Sequence, residues 1–408
     1  MAEPFAPLPP GATIGILGGG QLGRMLAMAA ARLGYRTHVF SPEPDPPAGQ
    51  VATATTIAGF NDVEALARFG RCIDVATFEF ENVALDAFDA LEAEAPIRPA
   101  RSVLAIAKDR IEEKSFLNRI GIPTAPWAPI VRREQAEDAV AEIGFPCLVK
   151  TARFGYDGKG QAVLHGPEDL APALDRLAGA GPFRPLIVEA FVAFAVEISV
   201  LLARDGKGRM ASFDVVENHH RDGILDLSIV PARIPPKTAA AAREAARRVA
   251  EALDLVGLVC LELFVLADGS ALANEIAPRP HNSGHWTLEA CAVSQFEQQV
   301  RAIAGLPLGD PARHSDALMR NLIGEGIAAF SRLLATPGLI PHHYGKSEVR
   351  PGRKMGHVTR LYPLGALPGE DGITAAFPPL HGCGSHDGSQ PHPAELRHGQ
   401  KPPKTGSH

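Results

Sequence analysis

The chain has 408 residues, which is too long for one ordinary hydrophobic core and predicts two or three domains. Hydrophobic residues make up 46% and charged residues 21%, as in a soluble globular protein, and the net charge of −6 argues against nucleic acid as a partner. Scattered cysteines, no secretory leader and no apolar run of about 18 residues predict a cytoplasmic protein that does not enter a membrane.

A glycine-rich turn follows the first predicted strand. The uncharged run 13–17 is typical of a buried parallel strand, and residues 18–23 have the G-x-G-x-x-G spacing before an amphipathic helix. The N–H groups at the start of that helix can bind an anion, so we expect the turn to hold a phosphate. A dinucleotide site needs an acidic residue about 20 positions further on. Glu43 and Asp45 lie near that place in a proline-rich loop, so the spacing leaves the phosphate's identity open.

A second half-unit is predicted from a helix near 62–69 and a strand at 72–76. Glu79 and Glu81 follow that strand, at the carboxyl end where open α/β sheets bind ligands. Acidic residues are equally common on solvated loops, so these two carboxylates do not define a site by themselves.

The pattern then changes to that of a small α+β module. A predicted strand at 146–150 ends in Lys150, and the glycine-rich segment 152–160 follows it at once. Such a loop can close over phosphates, although it lacks the Walker A pattern, and the alternative is an ordinary hairpin turn. The later predicted elements are a helix near 167–177, strands at 186–190, 195–204 and 209–218, and a helix at 237–254.

The most informative stretch is the predicted hairpin at 258–275. Asp268–Gly269 predicts a two-residue turn, which places Glu262 opposite Glu275. Directly opposed side chains have Cβ atoms about 4.5–5.5 Å apart, and like charges there are destabilising. A cation between the two carboxylates would relieve that repulsion, and Mg²⁺ carried by nucleotide phosphates suits them. The alternative is an edge hairpin with both glutamates in solvent.

Polar residues are concentrated after this hairpin. Arg279, His281, Asn282 and His285 come first, and a long helix at about 286–304 is predicted next, with apolar area to spare for a subunit contact.

Further cations follow a predicted strand at 319–325. Arg350, Arg353 and Lys354 could clamp an anion, although such a run is more often a solvated basic loop. Beyond about residue 367 the Pro-, Gly-, His- and Ser-rich sequence predicts a disordered tail, whose histidines lack ligand spacing.

Together these motifs resemble a known family. In chain order they are GGGQLGRM at 18–25, Lys108, Lys150, GYDGKGQ at 155–161, Glu189, Glu262 with Glu275, APRPHNSGHW at 277–286 and EVRPGRKMGH at 348–357. The combination resembles the N5-carboxyaminoimidazole ribonucleotide synthetases, ATP-grasp carboxylases of bacterial and fungal purine synthesis, over about residues 12–360.

The resemblance implies an α/β and α+β chain with the ATP-grasp fold. It implies an N-terminal Rossmann-like (pre-ATP-grasp) domain at 1–107, a small lid domain at 108–188, a C-terminal ATP-grasp domain at 189–360 and a disordered tail at 361–408. Members of the family are usually homodimers.

The same resemblance assigns ATP, with Mg²⁺ or Mn²⁺, to the space between lid and C-terminal domain. Glu262 and Glu275 would hold the metal, in agreement with the register argument. The lysines would contact the phosphates, Glu189 and the backbone at 191–192 the adenine, and Glu197 the ribose. The implied ATP-binding residues are Lys108, Lys150, Tyr156, Asp157, Gly158, Gly160, Gln161, Glu189, Phe191, Val192, Glu197, Asn274 and Glu275.

The other implied substrates are aminoimidazole ribonucleotide and bicarbonate. The glycine turn would then hold the ribonucleotide phosphate, which replaces the dinucleotide interpretation. The implied ribonucleotide-binding residues are Gln21, Leu22, Glu79, Tyr156, Asp157, Lys159, Arg350 and Lys354. The implied catalytic residues are Lys150 and, around bicarbonate, Arg279, His281 and Asn282.

Three alternatives remain open. A formate-dependent glycinamide ribonucleotide transformylase would share the two lysines and the two glutamates. An NAD-linked oxidoreductase would use the 18–23 turn but leave Glu262 and Glu275 unexplained. A catalytically silent nucleotide-binding protein would not need the metal pair and the basic residues.

Overall fold

The computed structural model describes residues 6–81, 85–155, 160–179 and 182–380, and these ranges contain three β-sheets. The first is a four-stranded parallel sheet in the order β3-β2-β1-β4. Its elements are β1 (Thr13–Leu17), α1 (Gln21–Arg32), β2 (Arg36–Ser41), β3 (Ala54–Ile57), α2 (Val63–Gly70), β4 (Val75–Phe78), α3 (Leu85–Glu92) and α4 (Arg101–Ala107). Because β1 is a central strand, its residues Ile14 and Ile16 are buried, as the uncharged sequence predicted.

The second sheet is a small antiparallel one in the order β5-β8-β6-β7. Its elements, with the helix that precedes them, are α5 (Arg110–Arg119), β5 (Trp127–Ile130), α6 (Ala136–Ile143), β6 (Cys147–Thr151), β7 (Gln161–Leu164), α7 (Leu170–Ala178) and β8 (Leu186–Ala190). Val149, Leu174 and Val188 belong to a core of its own. Phe116 and Leu117 of α5 pack instead into the core of the third sheet. The predicted lid domain at 108–188 thus begins with a helix that packs against the third sheet.

The third sheet has nine strands, in the order β14-β13-β9-β11-β12-β15-β17-β16 with β10 paired to β9. Its elements are β9 (Val196–Arg204), β10 (Met210–Ser212), β11 (Val216–Arg221), β12 (Ile224–Val230), α8 (Pro236–Ala252), β13 (Gly257–Val265), β14 (Ala271–Ala277), α9 (Thr287–Ala290), α10 (Gln295–Ile303), β15 (Asp316–Ile323), α11 (Phe330–Ala335), β16 (Leu339–His343), β17 (Lys354–Tyr362) and α12 (Glu370–Thr374).

Strand alternation decides which side chains of β13 reach the site. Leu261 and Leu263 point to one face and join a core with Ala246 and Val249 of α8. Glu262, between them in sequence, points to the opposite face. The apolar packing of the odd-numbered residues thus fixes the strand while the even-numbered glutamate stays available for chemistry.

The β13–β14 turn is not the two-residue turn that the sequence predicted. The amide of Leu266 donates to Ser270 O at 2.8 Å and that of Gly269 donates to Leu266 O at 3.0 Å, so three residues connect the paired ends. Gly269 has φ +83°, which suits the αL position of a three-residue hairpin loop. Val265 consequently faces Ala271, one position away from the predicted register.

A β-bulge restores the predicted pairing further along the hairpin. The register shifts between Glu262 and Leu263, and Asn274 is the extra residue on β14. Glu262 therefore faces Glu275, as predicted. The shift at the turn and the shift at the bulge cancel.

The predicted long helix at 286–304 is wrong. Cys291, between α9 and α10, is extended at φ −125° and ψ 148°, and the Ser294 hydroxyl caps α10 by accepting from the Glu297 amide at 3.2 Å. Phe296 and Val300 of α10 are buried in a core that also includes residues of α1. This helix therefore has no apolar face to spare for a subunit contact.

Three smaller boundaries also differ from the predictions. The strand predicted at 72–76 begins only at Val75, and the run 209–218 is divided between β10 and β11. The predicted tail starts too early, because β17 extends to Tyr362 and α12 follows, with Ile373 and Phe377 buried. The rest of that tail, 381–408, lies outside the described residues. None of the helices in the described ranges has the length and apolarity needed to cross a membrane.

The packing under Glu262 gives a stability prediction. Leu261→Ala removes a fully buried side chain and should lower the free energy of unfolding by about 2–5 kcal/mol. Leu334→Ala is the matched control, because Leu334 is 61% exposed and its truncation should change that free energy by about 0.5 kcal/mol or less. Urea unfolding of both variants provides the measurement, and equal midpoints would contradict the packing described.

Candidate active site

The facing glutamates form the centre of the candidate site. Glu262 and Glu275 are directly opposed, and the Glu262 side chain is 15% exposed. Burial, and after it the negative charge of Glu275, raises the pKa of Glu262 to about 8. Two carboxylates at this spacing cannot both ionise cheaply in a desolvated site unless a cation lies beside them. The structure therefore brings together the pair that the sequence predicted as metal ligands.

The charge of Glu275 also acts on two further carboxylates, those of Glu113 and Glu81. Burial, and then the negative charge of Glu275, raises the pKa of Glu113 on α5 well above its usual range. Burial also raises the pKa of Glu81, although the Arg279 guanidinium lies 2.9 Å from it and acts in the opposite direction. All of these donors are carboxylate oxygens, which suit hard cations such as Mg²⁺ or Mn²⁺. The donor set thus fits the predicted metal.

A lysine cluster lies on the second sheet. Lys150 Nζ is 3.1 Å from Glu189 Oε2, and Lys114 Nζ of α5 is 3.4 Å from the same oxygen. Burial would raise the pKa of Glu189, but Lys150 and then Lys114 outweigh it and lower that pKa to about 2. Burial also lowers the pKa of Lys150, against the attraction of Glu189. The predicted phosphate-binding lysine is therefore held in place by a buried carboxylate.

Helix α5 connects these two clusters. Its adjacent residues Glu113 and Lys114 act on Glu275 and Glu189, respectively, so the acidic and basic groups belong to one site. Lys108, predicted to contact phosphate, is half-buried at the end of α4, directly before this helix.

The glycine loop is anchored at its base. Arg110 of α5 donates hydrogen bonds to the carbonyl oxygens of Thr151 and Gly155 at 3.2 and 3.3 Å. The Thr151 amide donates to Gly160 O at 2.8 Å, and Gln161 begins β7 at the other end of the loop. The predicted residues Tyr156, Asp157, Gly158 and Lys159 lie outside the described residues.

Most of the groups predicted to contact adenine and ribose already have protein partners. Glu189 Oε1 is buried and unpartnered within the described ranges, so it can accept from a ligand. The Phe191 amide donates to Pro146 O at 3.2 Å, and the Val192 carbonyl accepts from Phe194 at 3.1 Å. Glu197 hydrogen-bonds His220 Nδ1; burial would lower the pKa of His220, but Glu197 outweighs it and raises that pKa.

A narrow cleft joins the predicted ribose and metal positions. Glu197 lines it together with Glu262 and the bulge residue Asn274, all on one face of the nine-stranded sheet. The bulge therefore turns the Asn274 side chain into the cleft, where the resemblance placed it.

His281 is fixed and neutral. Burial, followed by the positive charge of Arg279, lowers the pKa of His281 well below its usual range. Its Nδ1 lies 2.8 Å from the Ser283 hydroxyl and its Nε2 lies 3.5 Å from Glu262 Oε1. The Gln295 amide holds the backbone of His281, accepting from its N–H at 2.8 Å and donating to its carbonyl at 2.7 Å.

Asn282 is held by a residue that the sequence did not indicate. Its side-chain amide exchanges two hydrogen bonds with Asn321 of β15, at 3.0 and 2.6 Å, and both residues are buried. Asn321 donates its second amide hydrogen to Leu225 O at 2.8 Å, which fixes its orientation and leaves the second amide hydrogen of Asn282 for a ligand.

The glycine turn is closed on one side by Glu79. The Gly20 amide donates to Glu79 Oε1 at 2.7 Å, and a Cβ at Gly18, where φ is +115°, would lie 2.5 Å from that oxygen. Gln21 and Leu22 begin α1, which has no side-chain cap, and the first N–H groups of a helix lack intrahelical partners. An anion can bind there beside Glu79 only with cations nearby.

Lys346, on which the predicted cations Arg353 and Lys354 act, supplies part of that charge. Burial, and then the charge of Arg353, lowers the pKa of Lys346 to about 8, while Glu79 acts in the opposite direction. Lys346 Nζ donates to Lys354 O at 2.7 Å, and the charge of Lys354 acts on Glu262 and His281. Arg350, by contrast, is exposed and paired with Glu348.

Sequence reasoning missed several site residues, namely Arg110, Glu113, Lys114, His220, Asn321 and Lys346. Lys346 stands two residues before the basic run at 348–357 and could have been included with it. The others have no motif or strand-end position that marks them.

Three family profiles match the chain. An ATP-grasp domain matches residues 115–296, a ribonucleotide synthetase pre-ATP-grasp domain matches 11–108, and a phosphoribosylaminoimidazole carboxylase C-terminal domain matches 317–363. These matches confirm the predicted fold class, an ATP-grasp fold with an N-terminal pre-ATP-grasp domain.

Characterised relatives agree with the profiles. The N5-carboxyaminoimidazole ribonucleotide synthase of Brucella melitensis is 51% identical over 87% of this chain and 98% of its own length. A crystal structure of such a synthetase in complex with ADP has a TM-score of 0.83 and 41% identity, over 87% of this chain and 93% of that one. The Aspergillus clavatus enzyme, in complex with ADP and 5-aminoimidazole ribonucleotide, has a TM-score of 0.80 and 32% identity, over 87% and 94%. The chain therefore belongs to the N5-carboxyaminoimidazole ribonucleotide synthase family of ATP-grasp enzymes.

Proposed function

We propose that this chain catalyses the ATP-dependent carboxylation of 5-aminoimidazole ribonucleotide by bicarbonate, a step of purine biosynthesis that releases ADP and phosphate. The observation that carries the proposal is that helix α5 connects two groups of charges. Its Glu113 interacts with Glu275 of the facing pair, and its Lys114 interacts with Glu189, the partner of Lys150. This connection supports a single site in which the two facing glutamates would hold a metal and Lys150 would contact a phosphate. Solved relatives hold ADP and the ribonucleotide, which supports the choice of substrates.

ATP would bind between the small sheet and the nine-stranded sheet. The unpartnered Glu189 Oε1 can accept from the adenine amine, beside the backbone of Phe191 and Val192, and the free oxygen of Glu197 can accept from the ribose. Lys108, Lys150, Gly160 and Gln161 would contact the phosphates. Asn274 would lie at the metal pair. Tyr156, Asp157 and Gly158 are assigned to ATP by the resemblance alone.

Glu262 and Glu275 would hold Mg²⁺ or Mn²⁺. When bound, the ion neutralises charge on the terminal phosphates of ATP, which phosphoryl transfer requires. The two glutamates position it from a rigid hairpin, and Lys150 adds a fixed positive charge on the other side.

Bicarbonate would bind at Arg279, His281 and Asn282. An oxygen of bicarbonate attacks the terminal phosphorus of ATP, the bond to the bridging oxygen breaks, and carboxyphosphate and ADP result. The Arg279 guanidinium would orient the anion, while neutral His281 and Asn282 would supply hydrogen bonds without further charge. Their backbone and side-chain partners keep them in place during the transfer.

The ribonucleotide would bind with its phosphate at the amides of Gln21 and Leu22. Lys354, helped by Lys346, would neutralise that phosphate beside Glu79, and Arg350 would close from the surface. The exocyclic amine then attacks the carboxyl carbon of carboxyphosphate, phosphate leaves, and the amine loses a proton. Tyr156, Asp157 and Lys159 in the glycine loop would cover the substrates and exclude water, because carboxyphosphate hydrolyses readily.

The homodimer is a proposal from the resemblance alone, and the cytoplasmic location is a proposal from the scattered cysteines. The buried helix α10 no longer supports the dimer, and light scattering of the purified protein tests it.

The defining experiment measures ADP release by the purified protein. Release should require ATP, the metal, aminoimidazole ribonucleotide and bicarbonate together. Release with glycinamide ribonucleotide and formate would instead identify the transformylase, and no release with either pair would favour a silent nucleotide-binding protein.

The metal pair gives the first functional prediction. Glu275→Gln should lower ATP turnover by at least about 100-fold, since one carboxylate cannot hold the metal and several kcal/mol of charge stabilisation are lost. Glu251→Gln, on the exposed side of α8, is the matched control and should be normal. Circular dichroism should show both variants folded; normal turnover by Glu275→Gln would exclude the metal role.

The proposed ribonucleotide site gives the second functional prediction. Lys354→Ala should raise the KM for the ribonucleotide by about 10–100-fold and leave that for ATP nearly unchanged, since it removes a charge-assisted contact to one substrate only. Steady-state kinetics with each substrate varied in turn provide the measurement. Lys237→Ala, an exposed lysine on α8, controls for loss of surface charge, and a selective rise in the KM for ATP would contradict the assignment.

The titration of Glu262 gives the third functional prediction. Its pKa of about 8 means that it is mostly protonated at neutral pH until a metal displaces the proton. The concentration of Mg²⁺ needed for half-maximal activity should therefore fall as the pH rises towards 8, by up to about tenfold per pH unit, and level off above it. Magnesium titrations of ADP release across this range measure it, and a constant requirement for Mg²⁺ would contradict it.

A further inference from the structure

A second group of potential metal ligands lies at the other end of the nine-stranded sheet. Glu289 of α9, His342 of β16 and His357 of β17 each offer one ligand atom, and these atoms lie within 4.8 Å of one another. The group is separate in sequence and in elements from the β13–β14 hairpin, and the reaction proposed above does not use it.

The strand register creates the group. His342 and His357 are directly opposed on β16 and β17, and their rings stack with centroids 4.5 Å apart and planes 6° apart. Helix α9 packs against β17, and Glu289 Oε1 lies 2.6 Å from His342 Nε2.

Two atoms of the group lack partners. His357 Nδ1 hydrogen-bonds the Tyr344 hydroxyl at 2.9 Å, but His357 Nε2 is buried and unpartnered among the described residues. Glu289 Oε2 is likewise buried and has no hydrogen-bond partner among the described residues. Buried polar atoms nearly always have a partner, and an ion bound by the group would provide one for both atoms.

We propose that Glu289, His342 and His357 bind a transition-metal dication of the Zn²⁺ class. Two imidazole nitrogens and one carboxylate oxygen suit Zn²⁺ better than Mg²⁺, whereas the facing carboxylates of Glu262 and Glu275 suit Mg²⁺. Bonds of about 2.0–2.1 Å set the ligand atoms of a tetrahedral zinc site about 3.3 Å apart, so small side-chain rotations are enough to close the group around an ion.

The surroundings fit this role. In the tautomer whose Nδ1–H donates to the Tyr344 oxygen, 2.9 Å away, His357 Nε2 is free to ligate. The side chain of His342 is 28% exposed, which gives the ion a path from solvent and leaves a fourth position for water. The ion would fasten α9, which follows Asn282, to β17, which begins at Lys354, and so brace two parts of the active site.

The test compares zinc binding by the full-length wild type, His342→Ala, Glu289→Gln and a matched control, His343→Ala. His343 is the exposed neighbour of His342 and lies on the opposite face of β16. Each protein is stripped with chelator and dialysed against buffered micromolar Zn²⁺, and its zinc content is measured. The histidines in residues 381–408 are present in every variant, so their binding cancels in the comparison.

We expect wild type and His343→Ala to bind one more zinc per chain than His342→Ala and Glu289→Gln. Co²⁺ should give visible absorption bands with the first two proteins only, and Tyr344→Phe should weaken zinc binding by about 10–100-fold. Equal zinc contents in wild type and His342→Ala, or an equal loss in His343→Ala, would overturn the proposal. Thermal unfolding checks that each variant is folded. If Glu289→Gln unfolds, His342→Ala still decides the test, because the His342 side chain is partly exposed and its loss disturbs the fold less.

Discussion

The electrostatic repulsion between Glu262 and Glu275 is the constraint on which the arrangement of the site depends. Two carboxylates facing each other across paired strands are destabilising, and their burial makes the repulsion stronger. The apolar residues on the other face of β13 stabilise the hairpin enough to tolerate it. At neutral pH a proton on Glu262 offsets this repulsion, and a divalent ion bound between the two glutamates would take the place of that proton.

The pairing of these glutamates was predictable, but only in part for the reason first given. A turn signal fixes register only if the strands contain no bulge, and nothing in ALANEIA marks Asn274 as an extra residue. The three-residue turn and the bulge each shift the register by one, in opposite directions. What the sequence did indicate correctly is the strand pair and its apolar alternation, which requires both glutamates on the face away from α8.

The parts that could not be predicted depend on tertiary packing. Lys114 looks like an ordinary helix-surface lysine, yet it is buried, because α5 lies between two sheets and Glu189 neutralises it there. Asn321 sits within an apolar strand, and only the fold brings it to Asn282. The division between α9 and α10 does have a signal in the sequence. Ser294 with Glu297 three residues later is typical of the start of a helix, but the apolar spacing across 286–304 favoured one continuous helix.

The site lies where the three sheets meet, and each sheet contributes charged groups to it. The parallel sheet supplies Glu81, the small sheet supplies Lys150, and the nine-stranded sheet supplies the metal pair. Ion pairs cross these boundaries, as between Arg279 and Glu81, so the charge of each unit is balanced by its neighbours. Lys114 of α5 and Glu189 of the small sheet form another such pair, 3.4 Å apart and almost completely buried. Separating two buried partners leaves each charge uncompensated, so this pair holds the small sheet against α5.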